Sequence, residues 1–329
     1  MNEKILITGA DGLLGSHVVR KAISAGYQVK GFIQPDRKNK SLEGLDIERY
    51  YGDLLNKADI NEAVKGCDYL IHTAGSTAVW PNRSEKSWQI NYDVVVELAR
   101  AVSENHLKRF VHIGSASSFG YGTKEKPGDE ESPYLGEKFQ MDYLDSKKVA
   151  QDFLVEEYQY KALPVIILSP TFMIGEFDSV PGSGKMITTV VKHEVPGYSR
   201  GGRCVVYAGD VAQAAINALH NGRLGECYIA GGENLTYKEF FDLITDLAGV
   251  SPIRIKIPMT LMLLFSSFLE FMAKINKKPP LLSRTMAEIS GDKNYYSSQK
   301  AINELNLPQT PIREAIERSI GYFKEVGYI

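Results

Sequence analysis

A tyrosine followed four residues later by a lysine puts a phenol and an ammonium on one helix face, where the cation can lower the phenol pKa from about 10 and ready it for proton transfer. The spacing occurs three times, at Tyr134/Lys138, Tyr143/Lys147 and Tyr296/Lys300. Tyr134 is bracketed by Pro133 and Gly136 in a polar stretch, and Tyr296 belongs to the C-terminal region, far along the chain from the glycine turn at Gly9. Tyr143 opens a long helix-period segment that runs into a strand-like stretch, so Tyr143 and Lys147 are the expected catalytic pair. The glycine turn is the second chemical feature. Thr8-Gly9-Ala10-Asp11-Gly12-Leu13-Leu14-Gly15 follows an apolar run and opens a helical pattern. Glycines there allow a sharp bend and close approach of a pyrophosphate, which predicts a dinucleotide site.

Other chemistry finds little support. The six histidines, His17, His72, His106, His112, His193 and His220, form no cluster with metal-ligand spacing, so no metal is expected. No Gly-x-Ser-x-Gly elbow supports a hydrolase. Cys67, Cys204 and Cys227 are odd in number and widely spaced, which argues for a reducing, cytoplasmic setting rather than a disulfide framework. A net charge of -2 favours a small-molecule partner over nucleic acid. The apolar run that opens the chain is too short for a signal peptide.

The elements that must position these residues alternate between strand and helix. Strand-like runs at Lys4 to Thr8, Gln28 to Ile33, Ile47 to Tyr51, Asp68 to Thr73, Arg109 to Ser115 and Pro164 to Ser169 are separated by helical patterns. That rhythm predicts an α/β fold, a Rossmann-type doubly wound parallel sheet, followed by a smaller, mainly helical substrate-binding region. Leu14, Val18 and Ala22 mark the buried stripe of the first helix; Val149, Phe153 and Leu154 mark that of the helix beginning near Met141. After Pro170 a loop rich in glycine and proline begins, and further strand-like runs, Arg203 to Tyr207 and Cys227 to Ala230, suggest a return to the main sheet. The expected division is residues 1–170 and 203–230 for the dinucleotide domain, with 171–202 and 231–329 for substrate.

With Gly52-Asp53-Leu54, His72-Thr73-Ala74-Gly75, Asn91-Tyr92, Ser115-Ala116-Ser117-Ser118-Phe119-Gly120 and Tyr143-Leu144-Asp145-Ser146-Lys147 in chain order, the sequence resembles an extended short-chain dehydrogenase/reductase of the NAD-dependent epimerase/dehydratase superfamily. The resemblance covers nearly the whole chain. It implies that Tyr143 exchanges a proton with the substrate oxygen, that Lys147 holds the nicotinamide ribose and lowers the tyrosine pKa, and that Ser115 hydrogen-bonds the reacting carbonyl. Ser117 is the alternative serine and a candidate substrate contact. The resemblance further implies cofactor contacts from Gly9, Asp11, Gly12, Leu13 and Leu14, from Asp53 and Leu54 beside the adenine, from Thr73, Ala74, Gly75 and Asn91, and from Pro170, Thr171 and Phe172 beside the nicotinamide. At the end of the second strand stand Ile33 and Gln34 rather than a carboxylate; Asp36 lies beyond Pro35, and Arg37 could meet a 2′-phosphate. The expectation leans to NADP, with NAD as the alternative.

Leu168-Ser169-Pro170-Thr171 and Asn294-Tyr295-Tyr296-Ser297 resemble the dihydroflavonol reductase and 3β-hydroxysteroid dehydrogenase branch. The expected reaction is hydride transfer between nicotinamide and a ketone or secondary alcohol of a medium or bulky, largely apolar substrate. A nucleotide-sugar epimerase or dehydratase with retained NAD is the alternative, supported by Arg203, which often binds a substrate diphosphate in such enzymes; a catalytically inactive cofactor sensor is a further one. The resemblance suggests a homodimer through the helices near Asn91 and Tyr143. Between Met259 and Lys274 a narrow polar stripe, Thr260, Ser267, Glu270 and Lys274, interrupts an otherwise apolar helix. Ser266, Ser267 and Glu270 within the run from Ile257 to Ile275 argue against a membrane span. The wide apolar face calls for burial in the substrate region or, failing that, an apolar substrate mouth or peripheral contact with a membrane.

Overall fold

The computed structural model describes residues 3–35 and 41–329. Asp36 and Arg37, the two residues weighed for the cofactor ribose, lie outside the described residues.

The first half of the chain builds β1 (Lys4–Thr8), α1 (Leu13–Ser24), β2 (Gln28–Ile33), β3 (Glu48–Tyr51), α2 (Lys57–Val64), β4 (Tyr69–His72), α3 (Glu85–Trp88), α4 (Val94–Glu104), β5 (Arg109–Ile113), α5 (Asp142–Lys161) and β6 (Val165–Pro170). These strands and a later one, β9, form a seven-stranded sheet in the order β3-β2-β1-β4-β5-β6-β9. All its pairings are parallel. Parallel strands need crossovers, and the helices cover both faces. One core packs Leu14, Val18 and Ala22 of α1 against Ile5, Ile7 and Val111 of the sheet; the other packs Leu98, Ala150 and Leu154 against Leu6, Leu70 and Phe110. Strand order reverses between β1 and β4, the place where a doubly wound sheet opens a crevice at its strand ends.

One detail of the α5 reading is corrected. Leu154 is buried, but Val149 is exposed, and the face turned to the sheet carries Lys147, Ala150, Gln151 and Leu154. Lys147 reaches the Ile113 carbonyl at the end of β5, and with the helix turned that way the buried positions follow at three- and four-residue steps.

The second half contains β7 (Phe172–Ile174), α6 (Lys185–Val191), β8 (Gly202–Tyr207), α7 (Ala208–Asn217), β9 (Cys227–Ala230), β10 (Glu233–Thr236), α8 (Tyr237–Ala248), α9 (Met259–Asn276), α10 (Arg284–Ser290), β11 (Lys293–Asn294), α11 (Gln299–Leu305) and α12 (Ile312–Glu325). The main sheet regains a strand at β9, which pairs with β6. Contrary to the expected return at residue 203, β8 belongs to a small second sheet, where it pairs with β7, β10 and β11. This sheet has its own core of Ile187, Val205, Phe240, Ile244, Ile316 and Phe323. Conversely, Ala301 and Leu305 of α11 pack into the main core although they lie within the expected substrate region.

The apolar face of α9 is not buried by the described residues. Leu261, Leu264, Phe265, Phe268, Phe271 and Ile275 are all exposed, and only Met262, Ser266 and Ala273 of the helix are buried.

Candidate active site

The phosphate end of the site is made by backbone. Gly9 has φ +65°, and a Cβ there would lie 2.8 Å from the Ala74 Cα; on Gly15 it would collide with the Gly9 carbonyl oxygen. The loops after β1 and β4 therefore touch with no room for side chains, and Thr73 ties them further by donating to the Thr8 carbonyl at 2.6 Å. Helix α1 begins at Gly12 without a side-chain cap and without an acidic residue in its first turn. Its first amides, at Leu13, Leu14 and Gly15, border the crevice, as does Asp11. A helix N-terminus arranged in this way fits a pyrophosphate. Gln34, Asp53 and Leu54 line the same cavity toward the edge of the sheet, where an adenosine would extend.

The cavity encloses about 1000 Å³ and continues to Ser115, Ser117, Tyr143, Pro170, Thr171, Phe172 and Arg203. Tyr143 and Lys147 occupy the first two turns of α5. Ser115 and Tyr143 line the cavity together, and the Ser115 hydroxyl acts to lower the Tyr143 phenol; the Ser117 hydroxyl bonds Ser115 at 2.6 Å. Of the two serines it is Ser115 that acts on the phenol, and Ser117 supports Ser115. Lys147 is buried and donates to the Ile113 carbonyl at 3.1 Å. It lies directly beneath Gly75, where a Cβ would come within 3.2 Å of Nζ.

Asn91 does not line the cavity. It sits in a π-helical turn, Gln89–Asp93, and acts as a strut: its Oδ1 accepts from the Ser76 amide at 2.8 Å, while Nδ2 donates to the Ser76 carbonyl at 3.1 Å and to the Ser146 hydroxyl at 3.2 Å. The bond to Ser146 anchors α5 beside Lys147 and fixes the loop over it. Such single π-turns recur at functional sites, where they re-aim one residue.

The electrostatics depart from expectation. The Tyr143 phenol is pushed up, not down: burial dominates, and the Ser115 hydrogen bond and the Arg203 charge only offset it in part. Burial also drives Lys147 down to about 8. Beneath the lysine lie two buried imidazoles, His72 and His112, stacked with centroids 5.5 Å apart. They are paired in register across β4 and β5. Burial and the Lys147 charge push His72 down to about 3 and His112 well below its ordinary value, so both are neutral and do not compensate the ammonium. His72 bonds Thr8 Oγ1 at 2.6 Å.

The other Tyr-Lys spacings are structural. Tyr134 donates to Asp145 at 2.8 Å, and Lys138 pairs with Asp292. Lys300 is held by Glu226 at 2.7 Å. Tyr296, however, lines the same cavity as Tyr143, opposite to the distance expected from its place in the chain. Met286 and Ile289 of α10 line it as well, and no motif marked them. Arg203 stacks over Phe172 at 4.7 Å and donates through Nε to the Tyr237 hydroxyl at 2.6 Å; it has no carboxylate partner among the described residues.

The family model described as NAD dependent epimerase/dehydratase family matches residues 5–231. The chain is 25% identical to a putative dihydroflavonol 4-reductase of Synechocystis, over 100% of this chain and 97% of that protein. It is 27% identical to sterol demethylase protein B of Methylococcus capsulatus, over 98% and 99% of the two chains. The crystal structure of gox2253 superposes with a TM-score of 0.87 at 28% identity and covers both chains in full.

Proposed function

The chain belongs to the NAD dependent epimerase/dehydratase family, and from that premise we propose that it is a nicotinamide-dependent reductase of ketones, or dehydrogenase of the corresponding secondary alcohols, acting on a medium or bulky, largely apolar substrate. The observation that carries the reading is the presence of Ser115 and Tyr143 together on the wall of a cavity that begins at the glycine loop. When bound, the cofactor supplies or accepts the hydride. Tyr143 delivers a proton to the substrate oxygen, and Ser115 hydrogen-bonds that oxygen and holds the phenol in place. Lys147, with donors beyond its single bond to Ile113, would hold the ribose, and at about 8 its pKa suits proton exchange near neutral pH.

The apolar substrate is supported by the side chains that the second region brings to the cavity, Phe172, Met286, Ile289 and Tyr296. A relative named a reductase and another named for sterol demethylation agree with it. Use of NADP is supported by the absence of a carboxylate at the end of β2, where Ile33 and Gln34 stand.

Arg203 favours a second reading, an epimerase or dehydratase of nucleotide sugars, because its terminal nitrogens make no hydrogen bond among the described residues and it borders the cavity. The experiment that separates the two follows the hydride. The purified protein is offered a panel of apolar ketones with NADPH or NADH, and separately UDP-sugars, with and without Arg203→Ala. Stoichiometric consumption of reduced cofactor with ketones supports the reductase. Conversion of a UDP-sugar without net cofactor change, lost in Arg203→Ala, replaces it with the epimerase.

A further inference from the structure

Six exposed apolar residues of α9, Leu261, Leu264, Phe265, Phe268, Phe271 and Ile275, fall at three- and four-residue steps and so share one face. Ile255 before the helix and Leu281 after it are also exposed. The six on α9 leave roughly 600 Å² of apolar area in water, at the upper end of what an ordinary monomer patch exposes. The opposite side of α9 is fastened to the protein: Arg284 of α10 donates to Glu270 at 3.0 Å and to Ser267 at 3.1 Å, and Ser290 contacts the Met262 sulfur at 3.4 Å.

Charge frames the face with one sign. Arg254 and Lys256 precede the helix, and Lys274, Lys277 and Lys278 close it; all are exposed, and none forms an ion pair among the described residues. The acidic residues nearby are taken, Glu270 by the Arg284 amide and Glu288 by the Arg284 side chain at 3.2 Å. An apolar stripe rimmed by unpaired cations complements a bilayer with anionic headgroups. We propose that α9 docks this protein on an anionic membrane surface, lying in the plane of the interface.

By length and composition α9 could also cross a membrane. Its bonds to α10 and the polar stripe through Thr260, Ser267, Glu270 and Lys274 oppose that, because a span would carry Glu270 into hydrocarbon. Docking also has a consequence for the site. Helix α10, which α9 holds, contributes Met286 and Ile289 to the cavity, so the substrate end faces the element that meets the lipid. Delivery of substrate from the bilayer rests on the reductase reading; the docking itself does not.

The test is flotation of the purified full chain with vesicles of phosphatidylcholine alone and of phosphatidylcholine with 30% phosphatidylglycerol, a composition chosen at roughly physiological anionic content. Binding to the anionic vesicles, weakened by salt and reduced at least about tenfold in Phe265→Glu/Phe268→Glu and in Lys274→Glu/Lys277→Glu/Lys278→Glu, supports the proposal. Both variants alter exposed positions, and their melting curves and turnover of a small water-soluble ketone are expected to match the parent. Failure to float with either vesicle overturns docking, as does binding that both variants retain. A dimer in sedimentation velocity that Phe265→Glu/Phe268→Glu dissolves assigns the face to a second copy instead, and retention in vesicles after an alkaline carbonate wash assigns it to a span. Flotation reads docking whether or not any ketone is reduced, so the two proposals fail separately.

Discussion

Replacing Lys147 with methionine removes a buried ammonium while keeping most of the side chain's volume. The folded-state pKa of about 8, against the ordinary lysine value of 10.5, means that burial disfavours the charged form by about 3 kcal/mol. The sign follows from proton counting. The folded value is depressed, so between pH 8 and 10.5 the unfolded chain binds more protons, and stability rises with pH in that window. The Lys147 charge is therefore destabilising in full below about pH 8, and the penalty fades as pH climbs toward 10.5. Two-state linkage gives a penalty of about 3 kcal/mol at pH 7 and about 1 kcal/mol at pH 10.

Lys147→Met lacks this dependence. It also leaves the Ile113 carbonyl without its donor, a loss of about 1–3 kcal/mol that does not vary with pH. The two effects partly cancel at pH 7, where the variant is expected to equal or exceed the parent in stability despite losing turnover. Their difference is what the experiment reads. Urea unfolding followed by the fluorescence of Trp80 and Trp88, at pH 7 and pH 10, should show the variant losing about 2 kcal/mol relative to the parent across that interval. Comparing variant with parent cancels the other lysines and tyrosines. An unchanged difference between the two pH values would falsify the assignment of Lys147 as an uncompensated buried charge.

Tyr143→Phe should lower turnover by at least about 10²-fold while dinucleotide binding, measured by fluorescence titration, stays within a few-fold; Tyr134→Phe should leave turnover intact, because its phenol only serves Asp145. Ser115→Ala is expected to reduce the rate more than Ser117→Ala, since the Ser115 hydroxyl acts on the phenol while Ser117 bonds Ser115; the reverse order in steady-state assays would reassign the pair. Gly15→Ala should abolish dinucleotide binding, because its new methyl meets the Gly9 carbonyl oxygen; retained binding by calorimetry contradicts the cradle. NADPH should bind more tightly than NADH, and Arg37→Ala should narrow the gap; a preference for NADH in paired titrations rejects the reading of the β2 end.

What the sequence reveals here depends on how local the cause is. The glycine turn, the Tyr143/Lys147 spacing and the six strands from β1 to β6 are each written in a few adjacent residues, and the structure has them within a residue or two of the expected limits. Strand β8 is as apolar as β9, with Val205 and Val206 both buried, but period and burial do not say which sheet a strand joins; that depends on partners at Phe172, Leu235 and Asn294. Tyr296 fails for the same reason. It is more than a hundred residues from Tyr143 in sequence, and β11 carries the chain back to the cavity just before it. For α9 the periodicity gives the helix and its polar stripe but cannot say which neighbour covers the remaining face.

The chemistry of the catalytic pair shows the same limit most sharply. Spacing identifies the phenol and the ammonium, and from spacing alone the ammonium should lower the phenol. The sheet decides otherwise. His72 ends β4 and His112, one residue before the end of β5, is its register partner, so alternation along the two parallel strands turns both rings toward α5 and under Lys147. The two histidines could have been noticed in the sequence near the ends of neighbouring strands, but not their neutrality, which comes from complete burial. Without a charge beneath it to balance, Lys147 titrates near 8 and Tyr143 is governed by its own desolvation. Residue types thus name the groups that act, while the nonlocal packing of the sheet sets the pH range over which the lysine can hold its proton.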